Sequence, residues 1–307
     1  MKRFLASVLA VLASGLGFAG LQADWQAAID LGIEFSPSKN YVEYAPVVLA
    51  PKPGQDNLTT TFRSAGAWNQ LTFYVADDFA IKLVDPKGCT IAGLGLVNHL
   101  GSGVAMTSSK SAGRCYIERA RVQCKGTAWL CEAPNGADFS CMTFIGCDVN
   151  LAAKGYEFVG SNNLDPNFYN CTGSYFGTLF DFTRGGCRFV IHGGGGSNGV
   201  TGIDCNPGYE GVAEHMDFEV TQTGLRLGSG TGSQVDFSVT DFRDGKYLVQ
   251  SATNNGILNV SANKCKGAAI VLTGETGYVR VSGRAAALPV AKQSGMKVEK
   301  FGAAVSQ

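Results

Sequence analysis

From residue 216 onward, apolar and polar positions alternate with a period of two, in short runs that recur at a nearly constant interval. The runs are MDFEV from Met216, VDFSV from Val235, LNVSA from Leu258 and VRVSG from Val279. Successive side chains of a strand point to opposite faces. The alternation therefore predicts one buried face, with Met216, Val235, Leu258 and Val279 followed by Phe218, Phe237, Val260 and Val281. The intervening Asp217, Asp236, Asn259 and Arg280, then Glu219, Ser238, Ser261 and Ser282, face outward. A polar turn containing Gly224, Gly245 or Gly267 comes next, and then a second apolar run, LRL, YLV or AIVL, so each repeat carries at least two strands.

Earlier segments vary the theme: TIAGLGL from Thr90, YIERARVQC from Tyr116, CMTFIGC from Cys141, NFYNC from Asn167 and CRFVIHG from Cys187. Short strands that keep one orientation from repeat to repeat cannot pair as antiparallel hairpins. Parallel stacking of successive coils satisfies both the backbone hydrogen bonds and the repeated core face. The pattern predicts an all-β fold, a single-stranded right-handed parallel β-helix of about nine or ten coils. The cysteines support the period, since Cys89, Cys115 and Cys141 recur at one coil-length interval and Cys124, Cys147 and Cys171 at another close to it. Stacked free thiols, behaving as small buried hydrophobes, are expected in preference to disulfides. No C-x-x-C or Cys/His cluster suggests zinc.

The ends differ from the coils. Lys2 and Arg3 precede an apolar stretch from Phe4 to about Ala19, so residues 1–22 have the layout of a secretory signal peptide, the alternative being an N-terminal anchor helix. Trp25, Ala28, Ile29 and Ile33 share one helical face, which predicts a capping helix over 23–34 within an N-terminal cap of residues 23–65. The β-helix is assigned to 66–290, and 291–307 to a C-terminal tail or cap.

Composition adds that 41 glycines against 9 prolines fit an ordered, turn-rich β protein. With 25 basic and 25 acidic residues there is no broad positive field, and nucleic acid is not an expected partner.

The ADWQAAID segment at Ala23–Asp30, followed by glycine-rich coils, resembles the pectate-lyase-like superfamily of right-handed β-helices, which includes phage tail spikes and secreted polysaccharide-acting proteins. The resemblance spans about residues 23 to 290 and implies an extended groove used on long sugar polymers. It carries over no catalytic residues, because the paired Asp and His signatures of the pectin hydrolases and the basic, calcium-flanked set of the lyases are both missing.

The chemical candidates are acidic. Asp217 and Asp236 are expected at one outward position on neighbouring coils, roughly 4.8 Å apart, with Glu219 about 6.5 Å along the same face. Carboxyls about 5 to 5.5 Å apart suit a retaining glycosidase, and about 6.5 to 9.5 Å an inverting one. Such a patch can also hold a cation, calcium being the candidate; the plain alternative is a solvated strand face. His215 adjoins the patch as a proton shuttle or substrate contact, and Asp241 and Arg243 follow as sugar-binding candidates, local pairing with the aspartates being the favoured alternative for Arg243. The HGGGG run from His192 has no following G-K-[ST] and is expected to be a flexible turn. Trp68 and Trp129 are open to core or sugar-stacking roles. The Asn57-Leu-Thr and Asn170-Cys-Thr triplets match a glycosylation pattern, the second inside an expected buried coil.

The expected function is polysaccharide binding by an extracellular or virion-surface protein, an adhesin or tail-spike-like receptor-binding protein, with a homotrimer along its length as one form. The alternative is a polysaccharide hydrolase or lyase using Asp217, Asp236 and Glu219. A third is a purely structural solenoid.

Overall fold

The computed structural model describes residues 20–301 apart from 38, 65–69, 135–136, 161–164, 186–187, 207 and 266. The leader segment up to residue 19, Trp68, Cys187 and the end of the chain from 302 lie outside the described residues. The chain is a right-handed parallel β-solenoid of about nine turns, 63% strand and 6% helix.

Most coils have three strands rather than the minimum of two, and their stacks form three parallel sheets. Sheet I runs through Thr61–Arg63, Thr90–Ala92, Tyr116–Glu118 and Thr143–Ile145, the leading parts of Asn167–Ser174, Arg188–Cys205, Glu210–Thr231, Gln234–Arg243 and Gly256–Cys265, then Gly277–Gly283 and Met296–Phe301. Sheet II takes in Leu71–Phe73, Gly95–Asn98, Arg121–Gln123 and Asp148–Asn150. Sheet III takes in Phe79–Val84, Ser102–Thr107, Thr127–Glu132, Lys154–Gly160, Thr178–Gly185, Tyr247–Asn254 and Ala269–Leu272. The longer strands bend at corners and contribute to more than one sheet.

The corner between sheets I and II is made by one residue in the left-handed region, repeated coil after coil: Gly93, Arg119, Gly146, Asn170, Gly193 and His215. This conformation turns the chain without disturbing the strand on either side, and a side chain placed there is thrown outward. Asn170 is accordingly exposed, while Cys171 beside it is buried. The expectation of a buried Asn170 does not hold.

Inside, like stacks on like. Phe144 lies over Phe168 at 5.1 Å and Tyr156 over Phe180 at 5.3 Å, all fully buried and in strand register. Trp129 packs edge-on to Phe144 with no exposed surface, which places it in the core. Of the cysteine stacks, Cys89/Cys115 and Cys147/Cys171 are adjacent and buried as free thiols. Cys141 and Cys124 drop out of the stacks. Tyr116 pairs with Thr143 and Arg121 with Asp148, so this coil is longer than either the Cys115 to Cys141 or the Cys124 to Cys147 interval. Met142 takes the interior place, and Cys141 is exposed in a left-handed conformation.

The helix spans Leu21–Leu31 and ends at Gly32 in the left-handed conformation (φ 67°), whose N–H bonds back to the last turn. Trp25 stacks on Phe35 at 5.4 Å and donates its indole N–H to Thr60 Oγ1. The ladder exceeds the expected limits at both ends. Tyr41–Glu43 and Val47–Leu49 already pair with later coils, and Met296–Phe301 adds a strand beyond residue 290.

Candidate functional site

The outward face of sheet I carries two adjacent rows along the later coils. One runs Val190, Val212, Asp236, Asn259, Arg280, Glu299. The other runs Tyr169, His192, Glu214, then Ser238, Ser261, Ser282 and Phe301. From Glu214 and Asp236 onward their side chains line an open groove with a cavity of about 500 Å³, bounded by Glu214, His215, Asp236, Ser238, Asn259, Ser261, Arg280, Ser282 and Phe301 and floored in part by Phe237 and Val260. Tyr169 and Phe301 are exposed aromatic rings at the two ends of the second row. Six coil steps separate them, roughly 29 Å at the usual strand spacing.

Within the groove, Asn259 Nδ2 donates to Asp236 Oδ1 at 2.5 Å, which fixes that carboxylate. His192 Nδ1 lies 3.6 Å from Glu214 Oε2, and the His192 and His215 rings meet edge to face at 5.3 Å. The three serines present hydroxyls at successive coils, each able to donate and accept.

The predicted acidic constellation is divided. Asp217 does not lie beside Asp236: it pairs in register with Gly195 and Asp241, and Asp236 with Val212 and Asn259. The coil that contains His215 is extended at the corner relative to the next, seen as a register shift between Ala213 and Met216. MDFEV is thus a sheet II strand, whereas VDFSV, LNVSA and VRVSG belong to sheet I. The two kinds of strand share the same alternation, so the pattern could not separate them. Asp217, Glu219, Asp241 and Arg243 sit together on sheet II, where Glu219 pairs with Arg243 in register and Arg243 Nε lies 3.5 Å from Asp241 Oδ2. Only Asp236 and His215 of the six candidates reach the groove. The HGGGG run is not a flexible turn. It is strand, and a Cβ on Gly195 would collide with the Asp217 carbonyl oxygen and one on Gly194 with that of Cys171. Glycine is required there by close coil contact.

A second polar array lies on sheet III. Glu157, Asp181 and Asp204 stack in register on consecutive coils, with Arg226 next, and all three acidic side chains are at most 7% exposed. Lys154 Nζ bridges Glu157 at 2.7 Å and Asp181 at 2.6 Å, Arg184 pairs with Glu157, Arg226 grips Asp204 through two nitrogens, and Thr127 Oγ1 donates to Glu157. Burial alone would raise the Glu157 and Asp181 carboxyls. The hydrogen bonds from Lys154, with Arg184 and Thr127 for Glu157 and Thr183 for Asp181, overcome it and hold both below the usual carboxylate range. The sequence-based expectations did not include this array, yet it has a visible signal: an acid inside an apolar strand in YEF, FDF and IDC, once per coil, answered by LRL. Its carboxylates are buried and paired while Lys154, Arg184 and Arg226 cover them from the solvent side, an arrangement suited to bracing the coils.

Among the described residues, no three His, Cys, Asp or Glu side chains converge to hold a metal ion, and no helix is long and apolar enough to cross a membrane. No family, curated protein or solved structure matches the chain. The architecture is therefore established by the coils themselves, and any function has to be argued from the groove.

Proposed function

We propose that the protein binds a polysaccharide along the outward face of sheet I, as a surface protein of a cell or virion. The observation that carries this is the row from Tyr169 to Phe301. It is a track of imidazole, carboxylate and hydroxyl groups on stacked coils, ended at both sides by exposed aromatic rings and open at the cavity between Glu214 and Phe301. Sugar chains offer hydroxyls at regular intervals and apolar C–H faces that pack on aromatic rings. A rigid site that is already formed avoids the ordering cost of binding.

One observation favours a hydrolytic reading as the second possibility. Glu214 and Asp236 line the same cavity from adjacent coils, offset by one coil and two positions along the strand. This puts their backbones about 8 Å apart, within the span of an inverting acid–base pair. These two carboxylates replace the divided set of Asp217, Asp236 and Glu219.

The test is a panel of bacterial and plant polysaccharides, with and without calcium, scored for binding and for new reducing ends or unsaturated sugars. Binding that disappears in Ser261→Trp, which fills the groove floor, supports the first reading. Product that disappears in Asp236→Asn supports the second. Binding that survives Ser261→Trp places the ligand elsewhere.

A further inference from the structure

We infer that the groove takes a linear, extended polysaccharide at one sugar per coil, with equatorially linked units that repeat at the pitch of the solenoid, and that chains which curl on themselves do not fit. This rests on the polysaccharide reading of the same groove. From Asp236 onward each coil repeats one pair of outward side chains two positions apart on the strand: Asp236 with Ser238, Asn259 with Ser261, and Arg280 with Ser282. The pairs are in register, so like positions recur along the solenoid axis at about 4.8 Å. All six side chains are at least part-exposed and line the cavity. Among the described residues, the Ser238 and Ser261 hydroxyls have no hydrogen-bond partner, and Ser282 Oγ has only the Val260 carbonyl at 3.5 Å.

A ladder of this kind reads spacing. Pyranose units joined through equatorial bonds form a flat ribbon with hydroxyls on both edges, advancing roughly 5 Å per unit, close to the rise of one coil. Successive sugars of such a ribbon keep step with successive coils, so that one edge meets the serines and the other meets Asp236, Asn259 and Arg280. Each serine hydroxyl can both donate to and accept from the sugar beside it. Axial bonds turn every unit against the last, and the curled chain leaves the floor within its first few units. That floor is carried by Phe237, Val260 and Val281, buried and stacked in register beneath the pairs. The length of the ligand follows from the same register. Four coil steps separate Glu214 from Phe301, about 19 Å, which leaves room for about five sugars. Phe301 is 55% exposed at the far end, where its ring can take the apolar face of the last sugar. Affinity should therefore grow with each added unit until the floor is filled, and no further.

The experiment uses the full chain and neutral oligosaccharides graded from disaccharide to octasaccharide. The extended probes are the cello-, β-linked manno- and xylo-series; the curled probe is the malto series, which has the same glucose units as the cello series and differs only in its linkage. Dissociation constants are measured by calorimetry. At least one extended series is expected to bind about tenfold more tightly than the malto series at equal length, with affinity rising to about five units and then levelling off. Ser261→Val removes one rung of the ladder and should weaken the pentasaccharide about fivefold. Phe301→Ala should move the plateau to a chain one unit shorter. Circular dichroism confirms the fold of both variants. Malto-oligosaccharides that bind as tightly as every extended series, or affinity that does not depend on length, overturn the pitch match and leave glycan binding standing. So does binding confined to axially linked or branched members of the polysaccharide panel, or binding of an extended polymer whose octasaccharide does not bind. Binding to no oligosaccharide and to no polymer of the panel overturns the glycan reading and the pitch match with it.

Discussion

The outward faces of sheet I and sheet III solve the same problem in opposite ways. Both stack polar side chains in register on successive coils, about 4.8 Å apart. On sheet III three carboxylates follow one another, and each is sealed by Lys154, Arg184 or Arg226 until it is almost inaccessible. Repeated like charge at that spacing is costly unless it is neutralised in place. On sheet I the rows alternate in chemistry, Asp236 then Asn259 then Arg280, with serines alongside, so no like charges are forced together and the groups remain open. A neutralised, buried ladder contributes to the scaffold; one whose groups stay part-exposed, though Asp236 is bonded by Asn259 and Arg280 stacks on Tyr278, keeps hydrogen-bonding capacity for a ligand. Exposure of polar groups, rather than density of charge, is what distinguishes the candidate site.

The largest effect should come from the core that both faces share. Phe237 is 1% exposed and stacks towards Phe218 at 6.5 Å. Phe237→Asp is expected to cost about 4 kcal/mol or more in urea unfolding, because a carboxylate replaces a ring with no partner in reach. An unchanged midpoint would mean that the assigned register is wrong. Next is Lys154→Met, which leaves Glu157 and Asp181 without their shared cation. A loss of about 3 kcal/mol is expected, less if Arg184 swings to cover both.

The same network predicts acid sensitivity. The folded pKa values of Glu157 and Asp181 are depressed by their hydrogen bonds, against the opposing effect of burial. Their stabilisation is therefore complete above the unfolded carboxylate range near about pH 4 and is lost as pH falls through the lower folded values. Melting temperature should fall steeply below about pH 4, and less steeply in Lys154→Met, where the depression is removed. Parallel slopes in the two proteins would show that the network is not the acid-labile element.

These contrasts also show what the sequence made legible. The period of the late coils was readable because Val235, Leu258 and Val279 really are stacked, and a repeated apolar alternation leaves few other folds. The third strand and the corner were not readable, because alternation continues straight through a left-handed residue such as Asn170 or His215. The misplacement of Asp217 follows from that: Met216 and Val235 begin identical-looking strands on different sheets. Asp236 and His215 reached the groove, but Glu214 and His192 were not picked out, since their meeting depends on a corner residue that only the backbone reveals. The carboxylate ladder was hidden for another reason. An acid between two aromatic residues, as in YEF or FDF, reads as an ordinary outward position, and its burial is set by long cations from its own and neighbouring strands, as Lys154 and Arg184 show at Glu157.

The comparison is sharpest when one chemical change is made in both places. Asp204→Asn and Asp236→Asn each remove a single negative charge and keep the side-chain shape. The Asp204 side chain is 7% exposed and held through two nitrogens by Arg226, so its amide cannot accept both bonds and presents donors to donors. A loss of about 1 to 2 kcal/mol is expected, moderated because Arg226 can turn towards solvent. Asp236 has one fixed contact, from Asn259, on an open groove wall, and its substitution should shift stability by no more than about 0.5 kcal/mol. In the polysaccharide panel, however, Asp236→Asn changes a side chain that lines the groove and should alter binding about threefold, whereas Asp204→Asn should leave it unchanged. If Asp204→Asn altered binding as much as Asp236→Asn, the division between a closed brace and an open site would fail.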